Sequence, residues 1–171
     1  MELELKKLSG DAIPAALERA ERYRLLNEPV QAESICLDIL AVDGNNQQAL
    51  VCLLLSLSEQ FGENITEKLD RAWSLLPKLS DEYQQAYYQG ILLERQARLY
   101  MRSDAPGSNF SAYDLFQEAM RLYEKAERLK PPGKNDEALL RWNTCARTIM
   151  GANLEPRPLD DFPDAGRRSR R

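Results

Sequence analysis

Residues 13–46 read IPAALERAERYRLLNEPVQAESICLDILAVDGNN, two helical segments and a terminator. Pro14 suits a first helical turn, where its missing N–H costs nothing, and Leu17, Ala20, Glu21, Arg24 and Leu25 recur at three- and four-residue steps. The pattern stops at Asn27. Pro29 can then open a second helix, along which Ala32, Ile35, Cys36, Ile39 and Leu40 form one apolar face until Asp43-Gly44-Asn45-Asn46 ends it. The stretch therefore predicts two antiparallel helices joined by a short turn.

The same grammar continues outward. A third helix over 47–61 carries Ala49 to Leu55 as an apolar run, the mark of a helix enclosed by neighbours. Gly62 closes it, and Asn64 can cap a fourth helix over 65–76, with Leu69, Ala72, Trp73 and Leu76 in one stripe before Pro77. A longer fifth helix starts near Ser80 or Asp81 and runs through Tyr83, Tyr87, Gly90, Leu93, Glu94 and Ala97 to about Met101. The segment SDAPGSN at 103–109 predicts a loop before a sixth helix over 111–129, seamed by Tyr113, Phe116, Met120, Tyr123 and Ala126. After Lys130-Pro131-Pro132-Gly133, Asn135 or Asp136 can cap a seventh helix ending near Met150, with Leu139, Trp142, Ala146 and Ile149 on one side. No sustained two-residue alternation of β-branched residues occurs, so the expected fold class is all-α. Residues 1–12 are an N-terminal segment, 13–150 the helical domain, and 151–171 a proline-containing tail expected to be disordered, ending in Arg167-Arg168-Ser169-Arg170-Arg171.

Composition narrows the function. The chain has 171 residues, 43% of them hydrophobic, enough for one domain with a core. It contains no His, which removes Ser-His-Asp and Cys-His catalysis and the commonest metal ligand. Cys36, Cys52 and Cys145 match no zinc spacing and read as free thiols of a reducing compartment. The net charge of −4 argues against a nucleic-acid partner, four terminal arginines notwithstanding. The start MELELKKLSGD does not read as a signal peptide, and no apolar run approaches the ~20 residues of a membrane span. A cytoplasmic location is the expectation. Asp160-Asp161 and Asp81-Glu82 are paired carboxylates, the first in the tail and the second at a helix start, where acidic side chains favour the helix dipole. Gly107 and Gly133 stand alone, with no phosphate-cradling glycine run. Cys145 beside Arg147 reads as a buried helical Cys, the alternative being a thiol activated by that Arg. The chain is read as non-enzymatic, with no cofactor and no metal.

Counted from Ile13, a 34-residue window ends at Asn46 and places Ala20 eighth, Tyr23 eleventh, Ala32 twentieth and Gly44 thirty-second. This resembles a tetratricopeptide repeat (TPR), in which small residues at the eighth and twentieth places let paired helices cross closely. Gly44 stands where the family usually has proline, and Ala16 where it has a bulky residue. A second window opens at Gln47 and, with one inserted residue near Gly62, brings Ile65, Leu69, Ala72 and Pro77 into register. A third opens at Ser80, and its second helix carries Ala119, Tyr123, Ala126 and Pro131 at the family's spacing after an insertion of roughly 20 residues. The resemblance covers 13–150 and implies a TPR-like α-solenoid of about three antiparallel helix pairs plus a C-terminal capping helix; a generic helical bundle is the alternative.

In that family the first helix of each pair lines a concave surface, which maps here to Leu17, Glu21, Arg24, Val51, Leu55, Gln84, Tyr88 and Ile91. Tyr83 and Tyr87 share a core-facing side of the fifth helix, whereas Tyr88 points with Gln84, Ile91 and Arg95 elsewhere. Leu17 and Glu21 occupy places that in a carboxylate-clamp subtype hold Lys or Asn, so such a clamp is not expected. The resemblance implies a protein-protein interaction module, an adaptor or scaffold holding a peptide segment of a partner in its groove. A small chaperone of an exported or aggregation-prone protein and a self-associating structural subunit are the alternatives.

Overall fold

The computed structural model describes residues 3–62, 65–133 and 136–158. Among these the chain forms seven α-helices and two single 3₁₀ turns, with no strand. The helices are α1 (Ile13–Leu25), α2 (Pro29–Val42), α3 (Gln47–Glu59), α4 (Ile65–Leu75), α5 (Glu82–Tyr100), α6 (Ser108–Leu129) and α7 (Glu137–Gly151). The 3₁₀ turns, Gly10–Ala12 and Leu76–Lys78, lead into α1 and follow α4.

The ends follow from local chemistry. Pro14 lies in the first turn of α1, and Asn27 takes a left-handed φ of 60° just beyond its last turn. Glu28 N–H then donates to Tyr23 O at 2.9 Å, satisfying a terminal carbonyl. Pro29 opens α2. Asn46 caps α3 by accepting from Ala49 N–H at 3.0 Å, and Asp81 caps α5 by accepting from Tyr83 N–H at 2.8 Å. The proposed Asn64 and Asn135 caps lie outside the described residues.

Packing follows chain order, each helix against the next, with an additional α1–α3 contact. Two cores result. The N-terminal core is aliphatic and small, built from Ala20, Ala32, Cys36, Leu50, Leu54, Leu57 and Ala72. The C-terminal core is aromatic, built from Tyr83, Tyr87, Phe116 and Tyr123 with Ala112, Ala119, Ala126 and Cys145. Leu55, Trp73 and Tyr88 pack against both.

Two expectations are corrected. The loop predicted at 103–109 is shorter, because α6 starts at Ser108, whose Oγ donates to Ser103 O at 2.8 Å directly after Gly107 at φ 79°. Most of the inserted residues lengthen α5 and α6, which run about 28 and 33 Å at 1.5 Å per residue and form the most extensive helix contact. The segment from 151 does not begin as a tail. Asn153, at φ 50°, turns the chain so that Leu154 N–H donates to Ile149 O at 3.0 Å and Leu154 buries in the C-terminal core. Arg157 then places its guanidinium 5.5 Å from the Phe110 ring centroid. Residues 159–171, with Asp160-Asp161 and the terminal arginines, lie outside the described residues.

Candidate functional site

α1, α3 and α5 bring one face each to a cavity of about 330 Å³. Glu21 and Arg24 come from α1, Gln47, Gln48, Val51, Cys52 and Leu55 from α3, and Gln84 and Tyr88 from α5. Six of the eight concave-surface candidates therefore meet: Glu21, Arg24, Val51, Leu55, Gln84 and Tyr88. Leu17 is half-buried one turn back along α1 and does not line the cavity. Ile91 is only 2% exposed and belongs to the C-terminal core, which corrects its placement on an open surface. The reason is that α5 sits between both cores: Leu92 faces one while Ile91 and Leu93 face the other, so its open stripe narrows after Tyr88.

Each end of the cavity is fixed by polar contacts. At one end Arg24 Nε donates to Glu59 Oε2 at 3.1 Å, and Arg95 Nη2 donates to Glu59 Oε1 at 3.2 Å. Arg95 Nη1 also donates to Leu55 O at 2.9 Å and to Ser58 Oγ, closing the C-terminal turn of α3. One carboxylate on α3 thus ties α1 to α5. Burial opposes the charge on Arg24, but its bond to Glu59 more than offsets this, and the guanidinium is held above its ordinary pKa. At the other end Gln47 Nε2 donates to Asn45 O at 3.0 Å and Lys78 O at 3.2 Å, while its Oε1 accepts from Ser80 N–H at 2.9 Å. Gln47 is a clip between the start of α3 and the turn before α5.

Tyr88 spans the seam between the cores, its ring edge-on to Tyr87 at a centroid distance of 5.2 Å. Burial, with Tyr87 nearby, pushes its phenol up to about 12, so at neutral pH it is a neutral donor at the cavity wall. Val51 and Leu55 supply apolar floor, and Gln48 and Gln84 supply uncharged amides. The four charged groups around the cavity, Glu21, Arg24, Glu59 and Arg95, sum to zero.

A second polar centre lies inside the C-terminal core. Glu94, 2% exposed, accepts from Tyr123 Oη at 2.8 Å, from Arg98 Nη2 at 3.0 Å and from Arg141 Nη1 at 3.4 Å, joining α5, α6 and α7. Its partners satisfy it internally, as a structural lock requires. Cys145 is fully buried nearby, and burial followed by Glu94 pushes its thiol up to about 12. The cations facing it are Arg98 and Arg141 rather than Arg147, so the activated-thiol reading of Cys145 is set aside.

Gln47, Gln48 and Cys52 are cavity residues that the repeat register did not single out. All three lie within a turn of Val51 on α3, so the stripe 48, 51, 52, 55 was readable from helical spacing alone. Among the described residues no helix is long and apolar enough to cross a membrane, and no group of three or more His, Cys, Asp or Glu could hold a metal ion. No family model, curated protein or solved structure matches the chain.

Proposed function

We propose that this chain is a TPR-like, non-enzymatic adaptor of the cytoplasm whose concave groove holds a peptide segment of another protein. The observation that carries this reading is the meeting of Glu21, Arg24, Val51, Leu55, Gln84 and Tyr88, singled out by repeat register on three separate helices, around one cavity. The volume lies at the lower end of ligand pockets, which span about 300 to 1,000 Å³, and suits an anchoring side chain rather than a large cofactor. In this mechanism a partner side chain buries against Val51, Leu55 and the Tyr88 ring, while the Gln48 and Gln84 amides hydrogen-bond to its backbone. The balanced charge favours a partner segment without a strong net charge, and binding should vary little with salt.

The test is selection of binders from a random-peptide display library, followed by affinity measurement against wild type and Tyr88→Ala. The reading predicts at least a tenfold loss, about 1.4 kcal/mol, with the melting midpoint of the variant used to establish that it folds. Selected peptides that bind both proteins equally would reject it. A second reading, self-association, rests on Leu25, Leu26, Val30 and Leu37, which are 89, 62, 60 and 45% exposed near the N-terminal end of the array. A concentration-dependent mass in sedimentation, abolished by Val30→Glu, would favour it instead.

A further inference from the structure

Ahead of α1, the segment Leu3-Glu4-Leu5-Lys6-Lys7-Leu8 belongs to no helix, and no hydrogen bond or ion pair ties it to the other described residues. Its main-chain donors and acceptors are therefore open to a partner. Leu3 and Leu5 are 84 and 92% exposed, whereas Leu8 is half-buried at a cavity of about 300 Å³ between Ala16 of α1 and Ile35 of α2. Two leucines at i and i+2 project to the same side of an extended chain, about 6.6 Å apart, as the anchors of a groove-bound peptide do.

Leu8 limits where the segment can go. Ala15, Ala16 and Arg19 line the Leu8 cavity, Glu21 and Arg24 line the groove, and the two sets stand about 160° apart round α1 at 3.6 residues per turn. Half a circuit of a helix about 10–12 Å across is roughly 17 Å, whereas the three residues from Leu8 to Leu5 extend only about 10 Å. With Leu8 seated, Leu5 does not reach the groove of its own molecule and is presented to another. That groove is complementary to it. Val51, Leu55 and Tyr88 offer an apolar floor, and Gln48 and Gln84 offer amides to an unbonded main chain. Arg24 and Arg95 are paired with Glu59, but Glu21 forms no ion pair among the described residues. The segment, with Lys6 and Lys7 against Glu4, brings one net positive charge to that carboxylate.

We propose that the groove binds the 3–8 segment of a second copy of this chain, Leu3 and Leu5 burying against Val51, Leu55 and Tyr88 while Lys6 or Lys7 pairs with Glu21. This rests on the groove reading given above and names its ligand. Self-association then runs through segment and groove, and the apolar patch around Val30 takes no part in it. Every copy carries one segment and one groove, so the contact joins unlike surfaces of the two molecules.

The experiment is sedimentation equilibrium of the full-length chain at concentrations up to about 1 mM, the weak end of specific association. The expected result is a mass that rises with concentration in wild type and in Val30→Glu alike. Association should weaken at least about tenfold in Leu3→Asp/Leu5→Asp and, separately, in Tyr88→Ala. Mixing these two variants should restore a heterodimer, because one keeps the groove and the other the segment, and misfolding of either would not give that result. A fluorescein-labelled peptide of residues 3–9 should bind Leu3→Asp/Leu5→Asp and bind Tyr88→Ala at least about tenfold more weakly. A wild-type chain that stays monomeric, association unchanged in the segment variant, or a mixture no heavier than its components would each overturn the proposal. A 3–9 peptide that fails on a groove still taking display-selected peptides would overturn it and leave the groove reading standing; failure of both kinds of peptide would reject that reading as well.

Discussion

The two halves of this chain solve the same packing problem with different materials. The N-terminal core, between α1 and α4, closes on Ala, Leu and Cys side chains, and its buried carboxylate, Glu33 of α2, is met by cations that reach solvent, accepting from Lys68 at 2.8 Å and pairing with Arg71 at 2.6 Å on α4. The C-terminal core, between α5 and α7, is aromatic and encloses a carboxylate, Glu94, that three helices share. Small aliphatic faces pack with few directional demands, whereas a buried carboxylate with a phenol and two guanidiniums demands one geometry. The cavity lies where these regimes meet, at Leu55 and Tyr88. A cavity wall at such a seam is held rigidly on one side and more adaptably on the other.

The largest expected effect comes from removing the lock. Glu94→Ala leaves the buried Tyr123 hydroxyl without its acceptor and opens space in the core. Its two arginines can still reach water, which limits the loss to about 3 kcal/mol. Amide hydrogen exchange read separately over α1–α4 and α5–α7 should show the loss concentrated in the second region. An equal loss in both would break the distinction between the halves and make the chain one cooperative unit.

Next is Ala119→Leu, which forces a longer side chain into a fully buried place on α6 and should cost about 1 to 3 kcal/mol by overpacking, read as a lower denaturation midpoint. An unchanged midpoint would mean that the α6 contact has room to spare. Gly90→Ala should cost less, about 1 kcal/mol. A Cβ there would stand 2.6 Å from Cε1 of the Tyr123 ring, which Glu94 holds in place, while a gain in helix propensity offsets part of the clash. A stabilised Gly90→Ala would show that the ring gives way.

The smallest effect is acid sensitivity in the N-terminal half. Burial alone would raise the Glu33 pKa, but Lys68, Gln60 and Arg71 outweigh it and hold the carboxylate below its ordinary value. With a depressed folded-state value, the unfolded chain binds more protons in acid. This stabilisation is therefore complete above the ordinary Glu value of about 4.3 and fades as pH falls below it. Denaturation midpoints of Glu33→Gln should accordingly lose part of the wild-type pH dependence below about pH 4, and an identical profile would remove Glu33 from the account.

Helix identity was largely legible in the sequence because the punctuation was local. Pro14, Pro29, Gly62 and Pro77 act within a turn of where they stand, and the expected starts of α1, α2, α3 and α4 coincide with those observed. The seven-residue loop at 103–109 misled because Ser108 and Asn109 are compatible with a first helical turn once Gly107 has supplied the positive φ. Leu154 went unrecognised because a single apolar residue after a helix end carries no periodicity; only the fold shows the space that it fills. The cavity was half legible. Repeat spacing placed Tyr88 and Leu55 on open faces, but Ile91 depends on how many neighbours cover α5, a fact about the assembled array. The lock of Glu94 with Tyr123 and Arg141 and the bridge of Glu59 with Arg24 and Arg95 join residues 29 to 47 positions apart, beyond any local pattern.

The groove is tested most directly by amide hydrogen exchange of the full chain with and without a saturating display-selected peptide, resolved by peptide segment. The account predicts new protection over the segments bearing Glu21 and Arg24, Gln48 to Leu55, and Gln84 to Tyr88, and little change across α6 and α7. Protection concentrated instead at Leu25, Val30 and Leu37, or spread over α6 and α7, would contradict it.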